Sequence, residues 1–203
     1  MERKSIDRRE KRKPSGAAII RPELTTALFR ALFEEWAQSG YGALSLERVA
    51  ARAGAGKAAI YRRWPSKLEF VCEAIQSVGI NLSDFTDHGS LGADIRAYLR
   101  TTRAAFRHPL IRKIIPDVVA ERIRTPEVSE ALDSLAAARR RYGNRMLDRA
   151  IARNELQPAL DRELALDLLI SSLYMRMIVH SKNTTMAEID RQATAIEAAI
   201  KAC

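Results

Sequence analysis

The stretch AGAGKAAIYRRWPSK, from Ala53 to Lys67, admits two readings. Glycines beside a lysine can form a loop that cradles phosphate. They can also form the turn between two short helices that grip DNA. A phosphate loop needs the spacing G-x-x-x-x-G-K-[S/T] after a strand. Gly56-Lys57 is present, but the position for the first glycine holds Ala51, and the residue after Lys57 is Ala58, which has no hydroxyl for magnesium. The preceding segment also has helical rather than strand periodicity. The nucleotide reading fails on all three counts.

The turn reading meets its requirements. A helix-turn-helix packs two short helices steeply across a tight turn that often contains glycine. Ser45 stands before a stripe of Leu46, Val49, Ala50 and Ala53, as an N-cap would. Gly54 follows and suits a positive φ. A third helix is expected from about Lys57 to Trp64. Ile60 turns inward beside Val49, leaving Lys57, Ala58, Tyr61 and Arg62 outward, with Arg63 at the edge. The charge agrees. Residues 45–67 hold six basic side chains and one acid, Glu47, within a chain whose net charge is +9. A surplus of that size suits a polyanionic partner, either nucleic acid or an anionic membrane surface.

Upstream, residues 1–20 are a sparse basic segment, read either as a solvated tail or as an arm that follows phosphates or a minor groove. Helical periodicity begins at Pro22 and carries Leu24, Ala27, Leu28, Ala31 and Leu32 on one face. Downstream, a fourth helix starts near Lys67 with Leu68, Val71, Cys72, Ile75 and Val78 on its apolar side. NLSDFTDHGSLG, residues 81–92, is rich in loop formers and marks a boundary. Further helices are expected at about 93–107, from His108-Pro109 with a kink or division at Pro116, from a Thr125 cap to about Asn154, at about 162–182, and at about 186–202. The fold class is all-α.

The run SGYGALSLERVAARAGAGKAAIYRRWPSKLEFV, residues 39–71, resembles the DNA-binding domain of TetR/AcrR-type transcriptional regulators. The resemblance covers about residues 21–81. It implies that Ser45 caps the second helix and touches a phosphate, and that Arg48 lies toward the backbone. It makes Lys57 the main base reader, since lysine can pair with guanine O6/N7. Ala58 and Ala59 offer only methyl contact or close approach. Tyr61, Arg62 or Arg63, and Lys67 are assigned to phosphates. Two departures stand out. Gly56 occupies a position where many members have a Ser or Thr cap. Glu47 is acidic where a base or phosphate contact is expected; it could accept from cytosine N4 or simply face solvent.

In the other half, the segment Arg162–Lys182 is apolar nearly all round, so it must be covered on more than one side. The last helix carries Ile189, Ala193, Ile196 and Ile200. Two such helices suit a four-helix interface between two copies. The candidate interface residues are Leu168, Met175, Ile189, Ile196 and Ile200. Candidate lining for a small-molecule pocket is Phe106, Tyr142, Met146, Tyr174 and Met177, although each is equally an ordinary core residue. Arg112, Lys113, Arg122, Arg124 and Arg139–Arg141 are read as solvated. One of them turned inward would favour an anionic ligand.

Cys72 and Cys203 lie far apart without CxxC spacing, and the three histidines are scattered, so no metal site, disulfide or cofactor is expected. No apolar run approaches the roughly 18 residues of a membrane span, so a cytoplasmic protein is expected. The organisation expected is a basic arm (1–20), a helix-turn-helix domain with its linking helix (21–81), and a helical ligand-binding and dimerisation domain (82–203). The function expected is a homodimeric repressor, released from a palindromic DNA operator by an unidentified small-molecule effector. Two readings stand beside it: a ligand-independent architectural DNA-binding protein, and an enzyme acting on an anionic substrate.

Overall fold

The computed structural model describes residues 22–79 and 85–203. The basic opening segment and residues 80–84, at the expected boundary, lie outside the described residues, as does the Val78 side chain. Helix α1 (Pro22–Ser39) begins on a proline, whose fixed φ suits a first turn. Helix α2 (Leu46–Arg52) is capped by Ser45, whose Oγ accepts from the Arg48 N–H at 3.3 Å. Gly54 follows with φ +66°, in the left-handed region that glycine adopts without steric cost. Helix α3 (Lys57–Tyr61) starts at Gly56 without a side-chain cap and ends three residues earlier than its periodicity suggests. Helix α4 is Lys67–Gly79.

These four helices close on an apolar core containing Leu32, Val49, Ile60 and Phe70, all fully buried. Phe29, Trp64 and Phe70 pack as an aromatic cluster, with ring centroids 4.3 Å apart for Trp64 and Phe70. The Trp64 indole N–H donates to Glu73 at 2.7 Å, which satisfies the polar atom of a buried ring. Cys72 is only half-buried, not central as its position in the apolar stripe suggests; its Sγ lies 3.8 Å from the Glu127 carbonyl.

The rest is α5 (Leu91–Arg107), α6 (Pro109–Arg124), α7 (Pro126–Ala152), α8 (Arg162–Tyr174) with a π-helical turn at Met175–Val179, and α9 (Met186–Lys201). Helix α6 runs through Pro116 without dividing. Thr125 is the N-cap of α7 by position, but its hydroxyl bonds Glu121 instead of the helix N–H groups. A second core joins α5, α7, α8 and α9 around Leu99, Met146, Leu147 and Leu173. The first core also takes Ile114 from α6 and Val128 from α7, so the two halves share a packed seam. There is no strand among the described residues.

Candidate functional site

Helices α2 and α3 are held at their angle by buried Ala50 and Ile60, and the Ala55 N–H closes the turn onto the Ala50 carbonyl at 2.9 Å. With Ile60 inward, Lys57, Ala58, Tyr61 and Arg62 are exposed together. Ala59 is half-buried beside them. The Lys57 ammonium sits 5.3 Å from the Tyr61 ring centroid, within cation–π reach.

Several expected phosphate contacts also have structural work. Arg48 donates Nε to Glu35 at 2.5 Å and Nη2 to the Ala43 carbonyl at 2.8 Å. Arg52 reaches the same carboxylate at 3.4 Å. Glu35 is 2% exposed, and a buried carboxylate is costly unless paired. The two arginines therefore tie α2 to α1. Arg63 donates to the Thr25 hydroxyl at 2.5 Å and stacks on Trp64, 4.4 Å from its centroid. Lys67 donates to the Tyr41 carbonyl at 3.1 Å. The Arg48 side chain still exposes more than half its area, whereas Arg63 is half-buried.

Glu47 does not simply face solvent. Its carboxylate pairs with Lys57 across the turn and accepts from the Ser45 hydroxyl at 3.1 Å. The Lys57 hydrogen bond is the main reason its carboxyl is held down at about 2, and the pair raises Lys57 in turn. Each charge favours the ionised form of the other.

Sequence reasoning missed two acids. Glu35 was visible as a carboxylate inside the apolar stripe of α1. Asp117, on α6, gave no such signal. Its Oδ2 accepts from the Trp36 indole at 2.5 Å and from the Tyr41 N–H at 2.8 Å. Those bonds tie the helix-turn-helix to the larger helical half.

A cavity of about 310 Å³ opens between α5, α6, α7 and α8. None of the five expected lining residues touches it. Phe106, Met146 and Met177 are buried in the second core, Tyr174 packs edge-on against Phe106, and Tyr142 is exposed with its ring stacked near Phe85. On α7 the lining face is instead Leu132, Leu135, Ala136, Arg139, Arg140 and Gly143. That helical stripe was present in the sequence, but its arginines made it look solvated.

The expected interface residues also divide. Leu168 is half-buried and Met175 is 49% exposed. Ile189, Ile196 and Ile200 are buried in the chain's own second core. Periodicity identified an apolar stripe but not what covers it. The exposed large apolar side chains on α8 and its π-helical turn are Leu164, Met175 and Val179, with Met186 exposed at the start of α9. Among the described residues no group of histidine, cysteine or acidic side chains could hold a metal, and no helix is long and apolar enough to cross a membrane.

A short exposed helix behind a glycine turn, on a larger helical body, defines a helix-turn-helix DNA-binding protein. Comparison with known proteins gives the family. Residues 28–74 match the model for bacterial regulatory proteins of the tetR family, and residues 85–196 match the tetracyclin repressor-like C-terminal domain. An uncharacterized HTH-type transcriptional regulator of Mycobacterium bovis is 31% identical over 178 residues, covering 85% of this chain and 83% of that protein. A DNA-binding transcriptional repressor TetR of Mycobacteroides abscessus is 29% identical over 161 residues, covering 75% and 81%. The solved structure of Salmonella enterica GusR superposes with a TM-score of 0.68 at 17% identity, covering 91% of this chain and 97% of that one. The chain belongs to the TetR family and is a DNA-binding transcriptional regulator.

Proposed function

We propose that this regulator is a homodimeric repressor acting in the cytoplasm, released from a palindromic operator by a small molecule held in the helical half. The observation that carries the reading is the outward face of α3: Lys57, Ala58, Tyr61 and Arg62 exposed together, backed by buried Ile60. In this reading α3 enters the major groove, Lys57 reads a base edge, and Tyr61, Arg62 and Lys67 meet phosphates. Ser45, Arg48 and Arg63 flank that surface while holding α2 and α3 in place. The family is one of transcriptional regulators, so the chemistry assigned here is binding rather than turnover.

Two copies pair through the outer face of α8, where Leu164, Leu168, Met175 and Val179 offer apolar surface. A dimer sets two recognition helices about 34 Å apart, one turn of DNA. Ligand and DNA are coupled if the ligand favours a conformer with the wrong spacing. Helix α4, which joins the two halves, packs against α7, and α6 supplies a further connection. On one side α6 presents Asp117 to α1. On the other, Val118, Val119 and Arg122 line the cavity.

The test is binding of Lys57→Ala and Tyr61→Phe to the operator. A base-reading side chain is worth about 1–3 kcal/mol, so Lys57→Ala should weaken binding about fivefold or more, and Tyr61→Phe should also weaken it, with dimerisation unchanged. Wild-type affinity in either variant rejects the docking assignment.

A further inference from the structure

We propose that Glu47 reads a cytosine of the operator, accepting a hydrogen bond from its N4 amine when Lys57 moves to a base edge of its own. The inference rests on the docking assigned to α3, and it names the base pair that the turn selects.

Glu47 stands in the first turn of α2 and Lys57 in the first turn of α3, and the Gly54 turn brings their side chains together at the surface. The carboxylate has a different partner on each oxygen. Lys57 holds Oε1, while the Ser45 hydroxyl donates to Oε2 at 3.1 Å. Ser45 is itself fixed as the α2 cap by the Arg48 N–H. When Lys57 moves to a base, Oε2 keeps its donor and Oε1 loses one. Other cations around the turn are committed elsewhere. Arg48 and Arg52 pair with buried Glu35. Arg63 holds Thr25 and stacks on Trp64, and Lys67 donates to the Tyr41 carbonyl. Arg62 lies at the other end of α3.

An anionic oxygen stripped of its donor as the groove closes over it is costly. The replacement donor has to come from a base edge. In the major groove guanine shows N7 and O6, and thymine shows O4; all three are acceptors and repel a carboxylate. Adenine offers the N6 amine, but beside the N7 acceptor, a pattern that suits the paired donor and acceptor of an amide. Cytosine offers the N4 amine with no acceptor of its own on that edge, which suits a carboxylate. Lys57 on guanine with Glu47 on cytosine is therefore the combination in which both charges regain a partner. Because the two side chains touch, the cytosine is either the partner of that guanine or its neighbour one step along.

The test is selection from a random duplex pool at about 150 mM salt with excess competitor, by the full chain and by Glu47→Gln, Glu47→Ala and Lys57→Ala. The wild-type motif is expected to hold a C·G pair in each half-site that Glu47→Gln converts to A·T, because an amide accepts from adenine N6 and donates to N7. Glu47→Ala should weaken the cytosine preference and enrich no adenine. On isolated duplexes, replacing the C·G pair should weaken wild-type binding about fivefold or more. The Glu47→Ala arm stands even if Glu47→Gln fails to fold. A C·G pair kept at full strength in either Glu47 variant, or lost in Glu47→Gln without a gain of adenine, overturns the proposal, as does a wild-type motif without a C·G pair. Lys57→Ala separates this failure from that of the docking. A motif that changes in Lys57→Ala alone rejects only the Glu47 contact. A motif unchanged in Lys57→Ala, or bound duplexes that share no motif, rejects the docking of α3 and this proposal with it.

Discussion

At the residue scale the most informative contact is Glu47 with Lys57. Lys57, the cation proposed to read a base, is held by an acid across the turn, so in the proposed docking DNA takes Lys57 from an internal partner before using it. In that docking Glu47 would penalise every site, and only sites that give Lys57 a good base contact would offset the penalty. Glu47→Gln should raise affinity for non-specific duplex and steepen its salt dependence by about one ion, because each neutralised phosphate adds about 0.9 to the slope of log K against log salt. Binding to competitor DNA across a salt series checks this. The pair also predicts a titration. Glu47 starts from an ordinary value of 4.5 and is held down to about 2 in the folded chain. Its contribution to stability is therefore whole above the unfolded value and is lost as pH falls through the interval toward about 2. That contribution is small, since both groups are exposed. Carbon-detected NMR should find the Glu47 midpoint near about 2, and back in the ordinary carboxylate range in Lys57→Met.

At the scale of elements, two connections fix how the DNA-binding unit is held. Gly54 turns the chain between α2 and α3 at φ +66°, with open space where a side chain would go. Gly54→Ala meets no clash and costs only the backbone strain, about 1–2 kcal/mol, read as a lower Tm and weaker operator binding from a loosened turn. Asp117 joins α6 to α1. Asp117→Ala leaves the buried Trp36 N–H without its acceptor, which costs about 1–3 kcal/mol in denaturant unfolding. It should also blunt release from DNA by ligand. Much of this scale was legible in the sequence, because a 3.6-residue apolar period marks a helix whatever lies beyond it. The turn was legible because Gly54, Ala50 and Ile60 each have a steric reason to be there. Asp117 was not. A lone acid on an amphipathic helix looks like any solvated acid until its partners, Trp36 and Tyr41, are placed from far along the chain. Of the kink or division expected at Pro116, the division does not occur. A proline removes one N–H, yet packing on both sides of α6 keeps the helix continuous. Ile189, Ile196 and Ile200 show the same limit: a stripe needs a cover, and α5 of the same chain supplies it.

At the scale of the whole molecule, the proposed repressor needs two copies to hold its operator. Leu164, Leu168, Met175 and Val179 are the surface assigned to that contact, on and beyond α8. Met175→Lys should yield monomers in sedimentation equilibrium and lower operator affinity, because one recognition helix alone meets one half-site. Unchanged dimers would move the interface elsewhere. The measurement closest to the central claim is selection from a random duplex pool by the purified chain, at about 150 mM salt and with excess competitor, since phosphate contacts alone weaken steeply as salt rises. A sequence-specific dimeric regulator predicts convergence on one palindromic motif, with half-sites about one helical turn apart and two chains per duplex. Bound duplexes sharing no motif, or stripped by the competitor, would contradict it and leave a basic architectural surface instead.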